Sequence, residues 1–258
     1  MKADTLRFEF TELTGTYEAT LASIALPRDR VAALLPRGIA LDAAPLDKRG
    51  EHPVLLCFGR HREVELEGAL RHIPTFPLDY LEVIAAIPFV RPERRGPGKA
   101  VGPFMHLANL YLNDPMAIFG GVTIWGFPKK PARIDDADGR FRVRSPALGR
   151  PLFEGRTEAP ATLAPALETP AFAAVAGILA QPLLQRVPAG LLVASTFDWR
   201  LASAEVGPCR ATVRIEDGLL GGLAGAHEAE PIDAGGLGAL RIRNRWRLSL
   251  PYPPEAVP

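Results

Sequence analysis

Twenty-six prolines and 24 glycines are spread over 258 residues, and they decide what this chain can build. Proline removes a backbone donor and blocks helix interiors, and glycine weakens helices and strands alike. The segments left between them are short, which favours many strands over long helices. Residues 7–13, 16–26, 54–66 and 78–90 read as strands, with a short helix over 28–35 that Pro36 and Gly38 close. Residues 91–103 read as a loop, and 105–112 and 116–125 as two further strands. Later, Thr169 is placed to cap a helix, Pro170 fits its first position, and Pro182 kinks or ends it. Residues 197–206 and 209–216 read as a hairpin joined at Gly207-Pro208. In its second arm Cys209, Ala211, Val213 and Ile215 alternate with Arg210, Thr212, Arg214 and Glu216, the pattern of a strand with one solvated face.

Hydrophobic residues make up 47% and charged residues 23%, an ordinary globular balance. No break in composition separates two units, so residues 1–258 are expected to form a single domain. The net charge of +1 gives no electrostatic reason to expect nucleic acid or a membrane surface. The last strand does carry a stripe of Arg241, Arg243, Arg245 and Arg247 against Leu240, Ile242, Trp246 and Leu248. Without a nucleic-acid motif, the stripe is expected to be a solvated or oligomer-facing side paired with acids. Cys57 and Cys209 have no metal or redox spacing and read as buried small hydrophobes. His52, His61, His72, His106 and His227 lack zinc spacing, and His106 reads as a satisfied core or lining residue. The glycines near Gly221 lack the context of a dinucleotide site, and Tyr252 reads as an ordinary aromatic. No apolar leader or membrane-length run occurs, so the expected location is cytoplasmic.

One short stretch stands apart. WGFPKKP, residues 125–131, puts Lys129 beside Lys130 in a chain whose other lysines are Lys2, Lys48 and Lys99; the remaining 25 basic side chains are arginine. Arginine does not lose its proton in proteins, whereas lysine does so when it is buried. At its reference pKa, roughly one lysine in a few thousand is neutral at pH 7, and desolvation lowers that pKa by about 3 to 5 units in buried sites. Trp125, Phe127 and Pro128 supply a stiff apolar lead-in. Lys130 adds a like charge, but on a strand it points the other way, so desolvation is the larger expected cause. The plainer reading of the motif is a strand running into a solvated turn.

A second stretch, LDYLEVIAAIPFV, weighs against that plainer reading. Leu81, Val83, Ala85, Ile87 and Phe89 form one face, and Tyr80, Ile84, Ala86 and Pro88 make the other nearly as apolar. Such a strand is buried on both sides, and Glu82 sits in it. A buried carboxylate pairs with a cation or has its pKa raised. With a buried lysine it can run iminium chemistry; with an arginine it is a structural pair.

YLNDPMAIFGGVTIWGFPKKPARI, residues 111–134, resembles the acetoacetate decarboxylase superfamily in its strand, loop, glycine-containing strand and aromatic-Pro-Lys-Lys order. Tyr80-Leu81-Glu82 with the following AIPFV resembles the family's Tyr-x-Glu element, and weaker likeness extends over residues 31–42 and 197–217. The resemblance implies a mainly β, α+β fold: an antiparallel β-barrel or cone with a central cavity and a few short helices. It implies Lys129 as Schiff-base lysine and Glu82 as active-site acid, with Lys130 and Tyr80 in support. A homo-oligomer without metal or organic cofactor is implied too, the protonated imine being the electron sink. Acetoacetate decarboxylase is the standard instance of a lysine activated by a neighbouring cation. Two places depart from the family pattern. By ungapped counting, Ala25 stands where an arginine is expected, and Phe58 stands near a second glutamate's place. The expected function is a Schiff-base lyase of a small keto acid, with decarboxylation of a β-keto acid such as acetoacetate placed first. An aldolase-dehydratase using pyruvate or another α-keto acid, and a ligand-binding barrel without turnover, are the alternatives.

Overall fold

The computed structural model describes residues 11–44, 50–67, 77–93, 102–158, 162–232 and 237–254. The segments expected as strand and loop at 7–10 and 94–101 lie outside those residues, as does His72. The chain opens with a long strand β1 (Thr11–Pro27), a helix α1 (Arg28–Ala32) and a short strand β2 (Ile39–Leu41). Then come three strands that build the centre: β3 (Glu51–Leu66), β4 (Leu78–Pro92) and β5 (Phe104–Leu112). The readings at 54–66, 78–90 and 105–112 therefore hold, each with a residue or a few added at its ends.

Residues 116–125 are not a strand. They lie in helix α2 (Pro115–Trp125), for which the end signals are local. Asp114 accepts a hydrogen bond from the Ala117 N–H at 2.7 Å, and Pro115 occupies the first turn. Gly126 closes the helix in the left-handed region at φ 67°, its N–H reaching the Gly121 carbonyl. Those caps satisfy the end groups of a helix, whereas a strand here would leave Asp114 nothing to do. After Gly126 the chain turns into β6 (Lys129–Pro131), which runs parallel to β5.

Four further strands follow: β7 (Arg133–Ala137), β8 (Arg140–Arg144), β9 (Pro151–Thr157) and β10 (Ala164–Pro165). Helix α3 spans Phe172–Leu179 and stops before Pro182, as expected. Thr169 does not cap it through its side chain. The hydroxyl turns back to the Pro165 carbonyl at 3.2 Å, and Ala171 holds the N-cap place. The remaining strands are β11 (Leu183–Arg186), β12 (Leu192–Ser195), β13 (Phe197–Asp198), β14 (Glu205–Cys209), β15 (Ala211–Ile215), β16 (Gly225–Ala229) and β17 (Gly238–Ser249).

The expected hairpin at Gly207-Pro208 is replaced by a sheet change. Both residues lie inside β14, which pairs with β17, and β15 pairs with β9 and β16 in a different sheet. Proline is tolerated there because β14 pairs with β10 at Glu205 and Val206, and among the described residues Pro208 has no strand partner on its second side. The expected alternation of buried and exposed residues in β15 is present.

The strands form two sheets. One has twelve strands with the path β10-β14-β17-β1-β3-β4-β5-β11-β12, and the other has five in the order β16-β15-β9-β8-β7. The mainly β class is as the sequence reads, with two sheets that do not close into one barrel. A core lies on each face of the large sheet. Phe58, Val83, Ile87, Phe141, Phe153 and Val213 share one, between the two sheets. Tyr17, Tyr80, Ala86, Phe172, Ile178 and Trp246 share the other, under α2 and α3. Strand β4 feeds both, which accounts for its two apolar faces.

The arginine stripe of β17 lies over acids. Arg241 and Arg243 reach Glu18 at 3.0 and 3.9 Å, Arg243 reaches Glu205 at 3.7 Å, and Arg247 reaches Glu67 at 3.4 Å. Exposed pairs of this kind contribute little stability, and they explain the stripe without nucleic acid. Among the described residues no helix is long and apolar enough to cross a membrane.

The centre of the sheet has no room for a side chain at Gly59, which sits between Ala19 on β1 and Glu82 on β4. A Cβ there would meet the Glu18 carbonyl at 2.2 Å and Ala19 Cα at 2.5 Å, both backbone atoms. Gly59→Ala is expected to lower the unfolding free energy by about 3 kcal/mol, the upper range for overpacking, as read from urea titration.

Candidate active site

The site is built from neighbouring rows of the large sheet. In one row β1, β3 and β4 place Tyr17, His61 and Tyr80 side by side. Their rings stack, with centroids 4.1 Å apart for Tyr17–His61 and 4.8 Å for His61–Tyr80. The next row holds Ala19, Gly59 and Glu82, and the one after it Leu21, Cys57, Ile84, Leu110 and Lys129. Alternation on each strand points all of these to the same face. Glu82 thus has His61 diagonal to it on one side and Lys129 on the other.

His61 Nε2 lies 3.1 Å from Glu82 Oε1, and Lys129 Nζ lies 3.6 Å from Glu82 Oε2. The Lys129 side chain is 9% exposed and that of Glu82 is 3% exposed, so the pair is held out of bulk water. Lys129 Nζ also stands 5.4 Å from the Tyr80 ring centre. The motif before Lys129 is fixed at several points. Trp125 Nε1 donates to the Ser249 carbonyl at 2.7 Å, and Leu110 N–H donates to the Pro128 carbonyl at 3.3 Å. Gly121 on α2 leaves the space that the lysine stem occupies, since a Cβ there would fall 2.5 Å from Lys129 Cδ.

Lys129 lies between two spaces. On one side is a small apolar cavity of about 70 Å³, lined among others by Tyr17, Cys57, His61, Glu82, Gln181 and Trp246. On the other is an apolar groove of about 420 Å³ beside α2 that reaches Met116 and Phe119. Leu13, Tyr80, Phe127, Lys129 and Leu248 border both.

Lys130 is not brought to this site. As alternation along a strand requires, it crosses to the other face, where its Nζ donates to Asn109 Oδ1 at 2.7 Å and stands 5.5 Å from the Tyr111 ring. On that face Lys130 anchors β6 on β5. Phe58 also faces away, packing against Phe141 and Phe153 at 5.6 and 5.2 Å. The β3 residue that meets Glu82 is His61, which counting along the sequence did not single out. Period-two spacing puts His61 on the same face as Cys57, but only the strand register sets it beside Glu82. Ala25 does not line the cavity, and Arg60 and Arg62 point to the opposite side of β3, where they border other clefts. His106 Nδ1–H donates to the Leu184 carbonyl at 2.9 Å, as a satisfied core residue. Tyr252 is engaged with Thr196 Oγ1 at 2.8 Å, away from the cavity. Cys57 and Cys209 are buried and free, and burial raises both thiols, Cys209 to about 11. Among the described residues no three His, Cys, Asp or Glu side chains gather as a metal site.

The acetoacetate decarboxylase family model matches residues 7–190, more than half of the sequence. The chain belongs to the acetoacetate decarboxylase family. No curated protein sequence matches it significantly. Three solved structures share its fold at low identity. Acetoacetate decarboxylase from Legionella pneumophila is 12% identical with a TM-score of 0.54, covering 94% of this chain and 84% of that one. The enduracididine biosynthesis enzyme MppR, complexed with the condensation product of pyruvate and imidazole 4-carboxaldehyde, is 17% identical with a TM-score of 0.53, covering 96% and 90%. An acetoacetate decarboxylase-like enzyme from Sphingomonas wittichii RW1 is 13% identical with a TM-score of 0.53, covering 93% and 91%.

The charge states in this family member follow from burial and pairing. Burial alone pushes the Glu82 carboxyl up, but the Lys129 ammonium and the His61 hydrogen bond outweigh it and hold the carboxyl below its ordinary value. Burial pulls His61 down despite Glu82, so the imidazole is neutral. An ionised carboxylate only accepts, so Nε2 carries the His61 proton and Nδ1 keeps its lone pair. Both shifts favour the unfolded state as acid is added. Below the ordinary imidazole value of 6.5 an unfolded histidine takes up a proton that folded His61 refuses. Below the ordinary carboxylate value of 4.5 an unfolded glutamate takes up a proton that folded Glu82 still lacks. Unfolding free energy is therefore expected to fall first below pH 6.5, with His106 and His227 adding to that limb because burial lowers them too. In His61→Gln the slope between pH 6.5 and about 5 is expected to shrink without vanishing, as measured by urea titration at each pH.

Proposed function

We propose that this protein is a Schiff-base lyase in which Lys129 attacks the ketone of a small keto acid. The observation that carries the reading is the water-shielded Lys129–Glu82 pair at the mouth of an apolar cavity. The attacking amine must be neutral, and Glu82 is placed to accept its proton and to return it to the carbinolamine hydroxyl, which leaves as water. An ammonium and a ketone then become an iminium and one water, with charge and atoms conserved. In a β-keto acid the electrons of the bond to the carboxylate carbon flow into the iminium, releasing carbon dioxide and an enamine. Protonation of the enamine carbon and hydrolysis of the imine regenerate the lysine. Neutral His61 holds Glu82 by its second oxygen, and the Tyr17–His61–Tyr80 stack sets the position of both.

A second reading, condensation of pyruvate with an aldehyde followed by dehydration, is favoured by one observation. Ala25 and Phe58 stand at the places of the arginine and second glutamate of the decarboxylase pattern, and among the described residues no arginine lines the cavity. Both readings begin with the same imine. Assembly into a homo-oligomer, implied by the family resemblance, is a separate proposal for light scattering to test.

Borohydride reduction with acetoacetate or pyruvate, followed by intact-mass analysis, is expected to add one substrate-derived group to the wild type and none to Lys129→Ala. An adduct that persists in Lys129→Ala, or its absence from the wild type with both acids, overturns the imine; a protein that binds either acid without an adduct is a ligand-binding barrel. Acetoacetate-derived adduct with carbon dioxide release supports decarboxylation, and pyruvate-derived adduct alone supports condensation. Gly121→Ala tests the same geometry without removing the amine. Alanine raises helix propensity by up to about 1 kcal/mol, but a stem pushed away from Glu82 leaves a buried carboxylate uncompensated at about 3–5 kcal/mol, so the melting temperature is expected to fall. Its methyl group displaces the Lys129 stem, so the trapped adduct is expected to fall at least about tenfold, a cost near 1.4 kcal/mol or more.

A further inference from the structure

The cavity beyond Lys129 holds hydrogen-bond donors that the imine chemistry does not use. Gln181 follows α3 and is 5% exposed. Its Oε1 accepts the Phe89 N–H at 2.9 Å. Phe89 has φ 54° at a break in the β4–β5 register, which frees that N–H from the ladder. A backbone N–H demands an acceptor, so the amide has one orientation, with Oε1 on Phe89 and Nε2 turned away from it. That Nε2 is buried and has no hydrogen-bond partner among the described residues, and Gln181 lines the cavity that Lys129 and Glu82 enter. Tyr17 and Trp246 line the same cavity, and Tyr17 Oη and Trp246 Nε1 are likewise buried and without a partner among the described residues. Leaving such a group buried and unpaired costs about 1–3 kcal/mol, and these three donors share the cavity with His61 Nδ1, a buried acceptor that also lacks a partner among the described residues.

We propose that Gln181 is the specificity-determining residue that holds the carboxylate of the keto acid, with Tyr17 and Trp246 as further neutral donors. The proposal rests on Lys129 reading the ketone of the same molecule. It assigns to uncharged N–H and O–H groups the work that the absent arginine would do. The carboxylate then enters the cavity with its negative charge hydrogen-bonded but uncompensated by a second cation, next to Glu82 and the iminium. The ligand class that follows is a short α- or β-keto acid, as against a neutral ketone or aldehyde.

The test compares pyruvate with acetone, which share a methyl ketone and differ in the carboxylate. Gln181→Glu keeps an oxygen for the Phe89 N–H and replaces the donating amide by an acceptor; Gln181→Met removes both. Circular dichroism and melting establish that each variant is folded. Borohydride trapping with pyruvate is expected to fall at least tenfold relative to trapping with acetone in the same Gln181→Glu protein. Equal loss with both ketones, or no loss with either, overturns the proposal, because a merely structural glutamine does not distinguish them. If the wild type forms no adduct with any ketone, the lysine reading falls separately. Saturation-transfer NMR of pyruvate binding then decides the glutamine: binding lost in Gln181→Glu supports it, and equal binding in both proteins overturns it.

Discussion

Glu82 is carried on a strand with a hydrophobic core on each side, and a carboxylate in such a place cannot stay ionised alone. That constraint organises the centre of the molecule. It calls for a cation within reach, which Lys129 supplies, and for a donor on the other oxygen, which His61 supplies. Removing one member of a buried pair leaves the other charge uncompensated, a loss of about 3–5 kcal/mol in comparable cases. The pair is thus a weak source of net stability and a strong reason for the surrounding geometry to remain as it is.

That geometry depends on small residues as much as on charged ones. Gly59 lets β1, β3 and β4 approach closely enough for the three rings of Tyr17, His61 and Tyr80 to stack in register. Gly121 leaves a path for the lysine stem, and Gly126 turns the chain from α2 into β6 in the left-handed region. The lysine is therefore presented by a capped helix and a parallel strand pairing, both anchored outside the cavity. A small change in either would carry Nζ away from Glu82 and from the face of the Tyr80 ring.

The two-lysine motif divides its labour by strand geometry. Adjacent side chains on β6 leave in opposite directions, so Lys129 enters the cavity while Lys130 ties β6 to Asn109 on β5. Among the described residues no second ammonium stands beside Lys129, and the carboxylate of Glu82 is its nearest charge. The same parity argument removes Phe58 from the site and introduces His61. Counting positions against a family pattern errs by one residue easily, and on a strand one residue is the difference between two faces.

Composition and period determined a good deal unaided. The density of proline and glycine set a mainly β chain, the doubly apolar run around Glu82 marked a central strand, and the alternation in β15 and β17 marked their solvated faces. The WGFPKKP stretch and Glu82 pointed to the same chemistry from separate places in the chain. Helix α2 was also legible in principle through Asp114, Pro115 and Gly126, although its apolar glycine-containing run reads as strand. What only the tertiary structure decided is register and sheet membership. Nothing local says that His61 stands opposite Tyr80, that β14 and β15 belong to different sheets, or that Gln181 reaches back to Phe89. Those contacts join residues far apart in sequence, and the free energy that selects them comes from packing two cores at once rather than from the preference of any segment.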